Sequence, residues 1–333
     1  MKNAMMTTDE AAARINDGAV LVIAGSEAAL SKLPVGKWIG GTSVYFMAED
    51  GGRVDLENVF VTEIDGATNA RAVMYIGEDL PNLTMGRFEG GMSMILIPGF
   101  SNAHQDFAIK GAEYAGVFEQ PLMGWIAGVH LDDIGKETPK VFDGATATAH
   151  EDGAAVLHVE VPEGAVADIN IVNLFTQDDA ADEITFPATG FEANKAIVNG
   201  EEVDFAAYVS QNGIDTALPL VANYAGAMIN VSFQAVGEDK VDFYAPVIKG
   251  VTYRLAKSPG DYAACFAEQV TADGSKQLSC NCILNYVYGA LEGKTTGSAT
   301  GPATFGEIAY ILLNQTFVHM DLRAATGAHT RVA

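Results

Sequence analysis

The chain has 333 residues, of which 49% are hydrophobic, so it is long enough to bury one large core or two ordinary ones. Its 19 lysine and arginine residues stand against 43 aspartate and glutamate residues, which gives a net charge of -24. A field of that sign repels nucleic-acid phosphates and anionic membrane surfaces, and this excludes both as expected partners.

The first residues and the cysteines bear on the compartment. Residues 1–14 lack the apolar segment of a signal peptide, and no apolar run reaches the roughly 18 residues that span a bilayer. Three cysteines, with Cys280 and Cys282 only two apart, do not make a disulfide framework. We therefore expect a cytoplasmic protein without a cofactor or a bound metal, whose oligomeric state stays open.

The first half of the chain predicts apolar strands with short helices between them. Thr7 and Glu10 have the spacing of a capping box at a helix start. The unbroken apolar run at 19–25 indicates a strand covered on both faces. The turn at 50–52 predicts a hairpin between its flanking strands. The expected helices are 10–16, 26–32 and 104–115, and the expected strands are 19–25, 38–46, 58–64, 92–100 and 122–131, with two more around the 151–153 turn.

The second half has similar content. Residues 162–190 are rich in Asp, Ala and Pro and form the best candidate boundary. This divides the chain into units 1–175 and 176–323 with a tail at 324–333. Because strands and helices do not alternate strictly, the fold class is α+β. We expect two halves of related size with mainly antiparallel sheets and flanking helices, for which a layered αββα sandwich is one arrangement. Helices are predicted at 205–211 and 259–270.

Several segments in sequence resemble the FIST family of sensory domains. The N-terminal marks are LPVGKWIGGTSVYF, MSMILIPGF, PLMGWIAGVHL and KVFDGATATAHEDGAAVLHVEV, and the C-terminal marks include ANKAIVNGEEVDFAAYV, VIKGVTYRLA, LSCNC and TFGEIAYILLNQTFVHMDL. The resemblance covers most of residues 20–322. It implies a two-part domain that binds small ligands such as amino acids and passes that state to a signalling partner. Cys280 matches the family's cysteine after a serine, whereas the family's basic residue shortly beyond it is absent here.

A pocket between the two halves is expected, and six residues are predicted to line it. They combine glycine and hydroxyl groups after an apolar strand with a cysteine, an amide and a carboxylate near the end of the chain. The six are Gly41, Thr42, Ser43, Cys280, Asn281 and Glu307. Small-molecule sites occur preferentially at such interfaces.

Each of these features also has a purely structural explanation. Cys280 and Cys282 are either small buried thiols or a reactive, ligand-contacting pair. The Gly40–Ser43 stretch is either a polar rim or a place where two sheets pack tightly. Glu307 either grips a ligand or faces water at a strand start.

The remaining motifs are weaker evidence of a function. Residues 289–296 are one residue short of a phosphate-binding loop and predict a surface turn. His104 with Asp106, and His130 with Asp132, lie just after strands and are expected to be exposed loop residues.

The sequence thus predicts a stand-alone, non-catalytic protein that binds a small ligand, such as an amino acid or a related polar metabolite, and signals through a separate partner. Two alternatives remain open. One is an enzyme with Cys280 as nucleophile and a histidine brought close by the fold. The other is a structural interaction protein without a polar pocket.

Overall fold

The computed structural model describes residues 1–224, 226–270 and 277–324. Its α-helices are α1 (Thr8–Asn16), α2 (Glu27–Leu30), α3 (Asn102–Lys110), α4 (Phe205–Gln211), α5 (Tyr262–Gln269) and α6 (Ile283–Tyr288). Short 3₁₀ helices lie at Gly77–Asn82, Gly111–Glu113 and Leu131–Asp133.

The strands before residue 175 are β1 (Lys2–Met6), β2 (Leu21–Gly25), β3 (Trp38–Thr42), β4 (Tyr45–Ala48), β5 (Gly51–Val54), β6 (Val59–Glu63), β7 (Asn69–Tyr75), β8 (Met92–Pro98), β9 (Leu122–Ala127), β10 (Val141–Asp143), β11 (Thr148–His150), β12 (Ala154–Glu160) and β13 (Ala165–Val172). The later strands are β14 (Ile184–Thr185), β15 (Gly190–Ala193), β16 (Lys195–Val198), β17 (Glu201–Asp204), β18 (Leu220–Tyr224), β19 (Ala227–Val231), β20 (Phe233–Val236), β21 (Val241–Val247), β22 (Tyr253–Leu255), β23 (Gln277–Cys282), β24 (Gly301–Thr304), β25 (Glu307–Ala309), β26 (Ile311–Leu313) and β27 (Phe317–Ala324).

Two six-stranded sheets pack face to face at the centre of the molecule. The first has the order β1-β6-β2-β3-β10-β11 and the second the order β26-β25-β9-β8-β12-β7. Because strand side chains alternate, Val22 and Met94 point into the core between the sheets, whereas Ile23 and Ile95 point outward. α1 and α2 cover the outer face of the first sheet, and α3 covers that of the second. The predicted α+β class is confirmed, and its layers run helix, sheet, sheet, helix.

Local sequence signals predicted several of the helices. The Thr7 hydroxyl accepts the amide N–H of Glu10, and the Glu10 carboxylate accepts the amide N–H of Thr7 at 2.8 Å, which completes the capping box. The predicted helices at 26–32 and 205–211 correspond to α2 and α4.

A third sheet adds to the same central core. Its order is β13-β27-β23-β24-β4-β5, and Cys280 of β23 and Val318 of β27 point inward beside the residues of the first two sheets. β25 also pairs with β9 in the second sheet. The last strands therefore complete a core that the first strands begin. The division into 1–175 and 176–323 stays a prediction, and the predicted tail lies, past Ala324, outside the described residues.

Residues 184–255 form a separate lobe with its own core. Its sheets have the orders β17-β16-β14-β22-β18-β19 and β15-β21-β20. Aromatic rings fill the space between them, and Phe186 meets Phe205 edge to face at a centroid distance of 5.2 Å. We call residues 184–255 the lobe and the remaining described residues the body.

One predicted strand pairing is wrong. The strand expected at 38–46 is two strands, because the chain turns at Ser43 and Val44 and takes β3 into the first sheet and β4 into the third. β4 forms its hairpin with β5, whereas β6 pairs with β1 and β2. Strands β11 and β12 flank the 151–153 turn, as predicted, and they join different sheets. The reason is that local pattern identifies a strand, whereas its partner is set by the sheet that buries its apolar face.

Gly124 is predicted to tolerate no side chain. It lies opposite Ile95 in the parallel β8–β9 pair, and a Cβ there would lie 1.7 Å from the Ile95 carbonyl oxygen. We expect Gly124→Ala to lower the free energy of unfolding by about 3 kcal/mol or more, since backbone must move. Urea denaturation measures this. Gly190→Ala is the control, because that Cβ would meet no atom closer than 4.0 Å; equal effects of the two substitutions would contradict the assignment.

Candidate functional site

The six residues predicted to line a pocket lie in one buried seam where the three sheets of the body meet. Gly41 approaches Trp125, so that a Cβ on Gly41 would lie 3.1 Å from the indole Nε1. Trp125 in turn stands opposite Glu307 in the β9–β25 pair. The Cys280 thiol donates to the carbonyl oxygen of Gly124 at 3.4 Å. The fold therefore brings together groups from both ends of the chain.

The hydroxyl groups of this seam are used within the protein. Thr42 Oγ1 accepts the amide N–H of Lys140 at 2.9 Å, and Ser43 Oγ donates to the carbonyl oxygen of Ala303 at 2.9 Å. Both residues are buried. At Gly41, the first and second sheets pack closely, as the structural explanation of this stretch requires. A ligand-binding role for these three residues stays a prediction.

The cysteines of β23 are fully buried. Burial, followed by the negative charge of Glu307 and the neighbouring cysteine, raises the pKa of the Cys280 thiol well above its ordinary value, and burial likewise raises that of Cys282. A thiol that stays protonated and has no access to solvent is a poor nucleophile. Their geometry favours small core thiols over a reactive pair.

Glu307 is fully buried at the start of β25. Its Oε2 accepts the amide N–H of Thr316 at 3.1 Å and the hydroxyl of Thr316 at 2.8 Å, whereas Oε1 has no hydrogen-bond partner among the described residues. Burial raises the pKa of Glu307 to about 8, against the lowering effect of the Thr316 hydrogen bonds. The alternative of a carboxylate facing water is therefore wrong.

The loop Asn314–Thr316, to which Glu307 is hydrogen-bonded, forms hydrogen bonds between the body and the lobe. Asn230 Nδ2 donates to the Asn314 carbonyl oxygen at 3.0 Å, and the Ser232 amide donates to Asn314 Oδ1 at 3.1 Å. Ser232 Oγ also donates to Gln315 Oε1. Asn281 supports the loop indirectly, because its Oδ1 accepts Asn285 Nδ2, which also donates to the Thr316 carbonyl oxygen. These contacts fix the lobe against the body.

An open cleft lies elsewhere on the body–lobe boundary. Its volume is about 180 Å³, and it lies between the start of α3, Phe305 and the strands β15, β20 and β21 of the lobe. Its lining residues are Gly99, Phe100, His104, Gln105, Phe191, Glu192, Gln234, Asp242, Phe243, Tyr244 and Phe305. None of the six predicted residues lines this cleft or the four other cavities described in residues 1–224, 226–270 and 277–324.

His104 is a buried polar residue in the lining of the cleft. The Ser101 hydroxyl accepts the His104 amide N–H and begins α3, which places the imidazole on the first turn. His104 Nδ1 accepts the amide N–H of Phe100 at 3.2 Å, so the neutral ring carries its proton on Nε2. That Nε2 is buried and unpartnered within the part of the chain that the structure describes. An unpaired buried donor costs about 1–3 kcal/mol, which a bound acceptor would recover.

Burial also keeps His104 uncharged. It lowers the pKa of His104 to about 4, with desolvation as the cause. The ring is 6% exposed. At neutral pH the His104 ring is therefore neutral, with its N–H on Nε2, and carries no imidazolium charge.

Aromatic side chains form the walls of the cleft. Phe100, whose φ of 64° lies in the left-handed region, meets Phe305 edge to face at 5.7 Å. Phe191 of the lobe meets the His104 ring edge to face at 5.7 Å. At the rim, Lys240 Nζ contacts Glu192 Oε2 at 2.5 Å and Asp242 Oδ1 at 2.9 Å. The aromatic lining of the cleft suits a flat apolar group.

The expectation that His104 is an exposed loop residue is wrong, because Phe191 comes from a distant segment and covers it. Asp106 is exposed and pairs with Lys110, and Asp132 is exposed as expected. His130 stacks on Tyr45 at 5.4 Å and keeps 30% of its side chain exposed. The available sequence signal for His104 was its position on a capped helix directly after a strand end.

The described residues contain no cluster of three or more His, Cys, Asp or Glu side chains arranged to hold a metal ion. Nor does any helix within the described ranges have the length and apolar character that crossing a bilayer requires.

The fold and its boundary cleft define a mixed α+β sandwich that carries a separate lobe. The chain belongs to a family of unknown function, DUF6976, whose model matches residues 6–323. Neither a curated protein nor a solved structure matches the chain significantly. Because this family has no assigned function, the likeness to the FIST family stays a prediction.

The reactivity of the cysteines can be tested directly. In the folded protein at pH 7.5 we expect iodoacetamide to modify Cys265, which is partly exposed, and to leave Cys280 and Cys282 unmodified. All three should react in urea, which is the control. Peptide mass spectrometry reads each site. Rapid labelling of Cys280 in the folded protein would contradict its burial and favour the enzyme alternative.

Stability should fall as pH rises because of Glu307. Its folded pKa of about 8 lies above the ordinary value of 4.5, so the folded protein keeps a proton that the unfolded chain releases between these pH values. Stability is therefore lost across this window, by up to about 1.4 kcal/mol per pH unit. Glu307→Gln mimics the protonated group and should flatten the dependence.

Urea unfolding at pH 5.5, 7.0 and 8.5 measures this difference between the native protein and Glu307→Gln. The exposed Glu201→Gln serves as the matched control and should follow the native protein. Parallel curves for Glu307→Gln and the native protein would show that Glu307 does not carry the proton.

Proposed function

We propose that this protein binds a small ligand in the cleft between α3 and the lobe, and that it does so without catalysing a reaction. The observation that carries the proposal is the Nε2–H of His104, a residue that lines an aromatic cleft; this donor is buried and has no partner among the described residues. Buried donors are nearly always paired in folded proteins, and an exception at a cavity wall points to a missing partner.

The position of the cleft supports the same conclusion. Its walls come from α3 and Phe305 of the body and from Phe191 and Phe243 of the lobe. Ligand sites are mostly apolar, concave and located where two structural units meet, with a few polar groups that set orientation. A bound molecule would contact both units at once. Ligand binding would therefore stabilise one arrangement of the lobe against the body.

The signalling role rests on the same arrangement. Because the ligand would contact both units, a second protein that reads the lobe and the body together would sense whether the cleft is filled. A cytoplasmic location and a separate signalling partner belong to this proposal and follow the resemblance to the FIST family. An amino acid or a related polar metabolite is the ligand class that this resemblance implies.

The enzyme alternative draws no support from the site geometry. Cys280 is fully buried, and its thiol donates to the Gly124 carbonyl oxygen instead of facing a cavity. His104 lies at the cleft, which Cys280 does not line.

A thermal-shift screen tests the binding proposal. The panel contains amino acids, dicarboxylates and neutral single-ring compounds, and we expect at least one compound to raise the melting temperature. A ligand at ten times its Kd stabilises the protein by about 1.4 kcal/mol. Gln234→Trp places a large ring on the exposed rim of the cleft and should abolish the shift.

Gln211→Trp is the matched control for that screen. Gln211 is also exposed in the lobe, at the end of α4, and does not line the cleft, so the shift should persist in this variant. The proposal fails if no compound shifts the native protein, or if the shift survives equally in Gln234→Trp.

A further inference from the structure

We propose that the cleft selects a neutral molecule with a single ring that presents a hydrogen-bond acceptor, such as an aromatic amide, to Nε2–H of His104. This inference rests on the proposed function and names the chemical class of ligand, which differs from the amino acids that the family resemblance implies. Three features of the cleft lead to it: the unpartnered donor of His104, the aromatic walls and the charges at the rim.

The donor sets the first requirement. His104 Nδ1 is occupied by the amide N–H of Phe100, and this fixes the tautomer in which Nε2 is the donor. Because Nε2–H is buried without a partner in the described chain, only an acceptor atom can complete it. A protonated amine has donors alone and cannot fill this position. A carbonyl oxygen or a ring nitrogen can.

The walls set the second requirement. Phe100, Phe191 and Phe305 come from separate segments and converge on the same cleft with His104. Aromatic rings pack favourably edge to face or offset against another ring. A cavity of about 150 Å³ lined by apolar groups is enough to hold benzene. The 180 Å³ here fits one ring with a small substituent.

The rim sets the third requirement. Glu192 and Asp242 contribute two carboxylates, and Lys240, which contacts both, contributes one ammonium group. The local balance is therefore negative, and so is the whole chain at -24. An anionic ligand is repelled. A ligand whose only polar group is an ammonium has no acceptor for His104, whereas a neutral molecule with an acceptor meets all three requirements.

The test is isothermal titration of the native protein with four ligands of the same ring size. Benzamide is neutral and has an acceptor, toluene is neutral without one, benzoate is anionic, and benzylamine is cationic at neutral pH. We expect benzamide to bind about tenfold more tightly than toluene, which corresponds to one recovered hydrogen bond, and more tightly than either charged compound. Its affinity should be equal at pH 5.5 and pH 8, because His104 stays uncharged in this range.

His104→Phe provides the second measurement. This variant keeps a ring in place and removes the donor, so it should weaken benzamide by about tenfold and leave toluene unchanged. The comparison of benzamide with toluene on the native protein needs no variant and decides the question even if His104→Phe does not fold.

The possible outcomes separate this inference from the proposed function. Equal binding of toluene and benzamide, or tighter binding of benzoate or benzylamine, overturns the ligand class and leaves a ligand-binding cleft. A benzamide affinity unchanged in a folded His104→Phe does the same. Absence of binding by all four compounds and by the amino acids of the earlier panel overturns both.

Discussion

The hydrogen bonds between Glu307 and Thr316 are the constraint on which the rest of the arrangement depends. Both donors of Thr316 meet the same carboxylate oxygen inside the body, and this fixes the loop Asn314–Thr316. That loop holds Asn230 and Ser232 of the lobe through its own backbone and side chains. A fully buried carboxylate is costly, and its raised pKa of about 8 shows how far burial favours the neutral form.

The cleft is a consequence of this attachment. With the lobe held against the body, Phe191 of the lobe contacts the His104 ring, and Phe243 and Tyr244 of the lobe line the same cleft as Phe305 of the body. The polar residues that the sequence singled out near the end of the chain lie in the buried seam of the body and hold the loop that contacts the lobe. The residues that line the cleft come from the start of α3, from Phe305 and from the lobe.

The sequence predicted what depends on neighbouring residues. The capping box at Thr7, the buried strand β2 and the helix α4 follow from local spacing and composition, and the structure confirms them. Strand partners were harder to predict: the chain leaves the first sheet after Thr42, and β4 joins the third sheet, where Phe46 faces the central core and Tyr45 and Met47 face a second core. His104 was missed for the same physical reason. Its burial is created by Phe191, which is distant in sequence, and its position on a capped helix after a strand end does not reveal that contact.

The most direct measurement is the Nε2–Hε2 resonance of His104 in protein labelled with nitrogen-15 on histidine. We expect a signal typical of the Nε2-protonated neutral tautomer, and this signal should be absent in His104→Phe. It should move when benzamide is added to the native protein. His158 is the internal control. It is also buried, but it is hydrogen-bonded to Ser93 and Tyr75 and does not line the cleft, so its signal should stay in place. A His104 resonance that does not respond to benzamide or to any amino acid of the panel would contradict the assignment of this cleft as the ligand site.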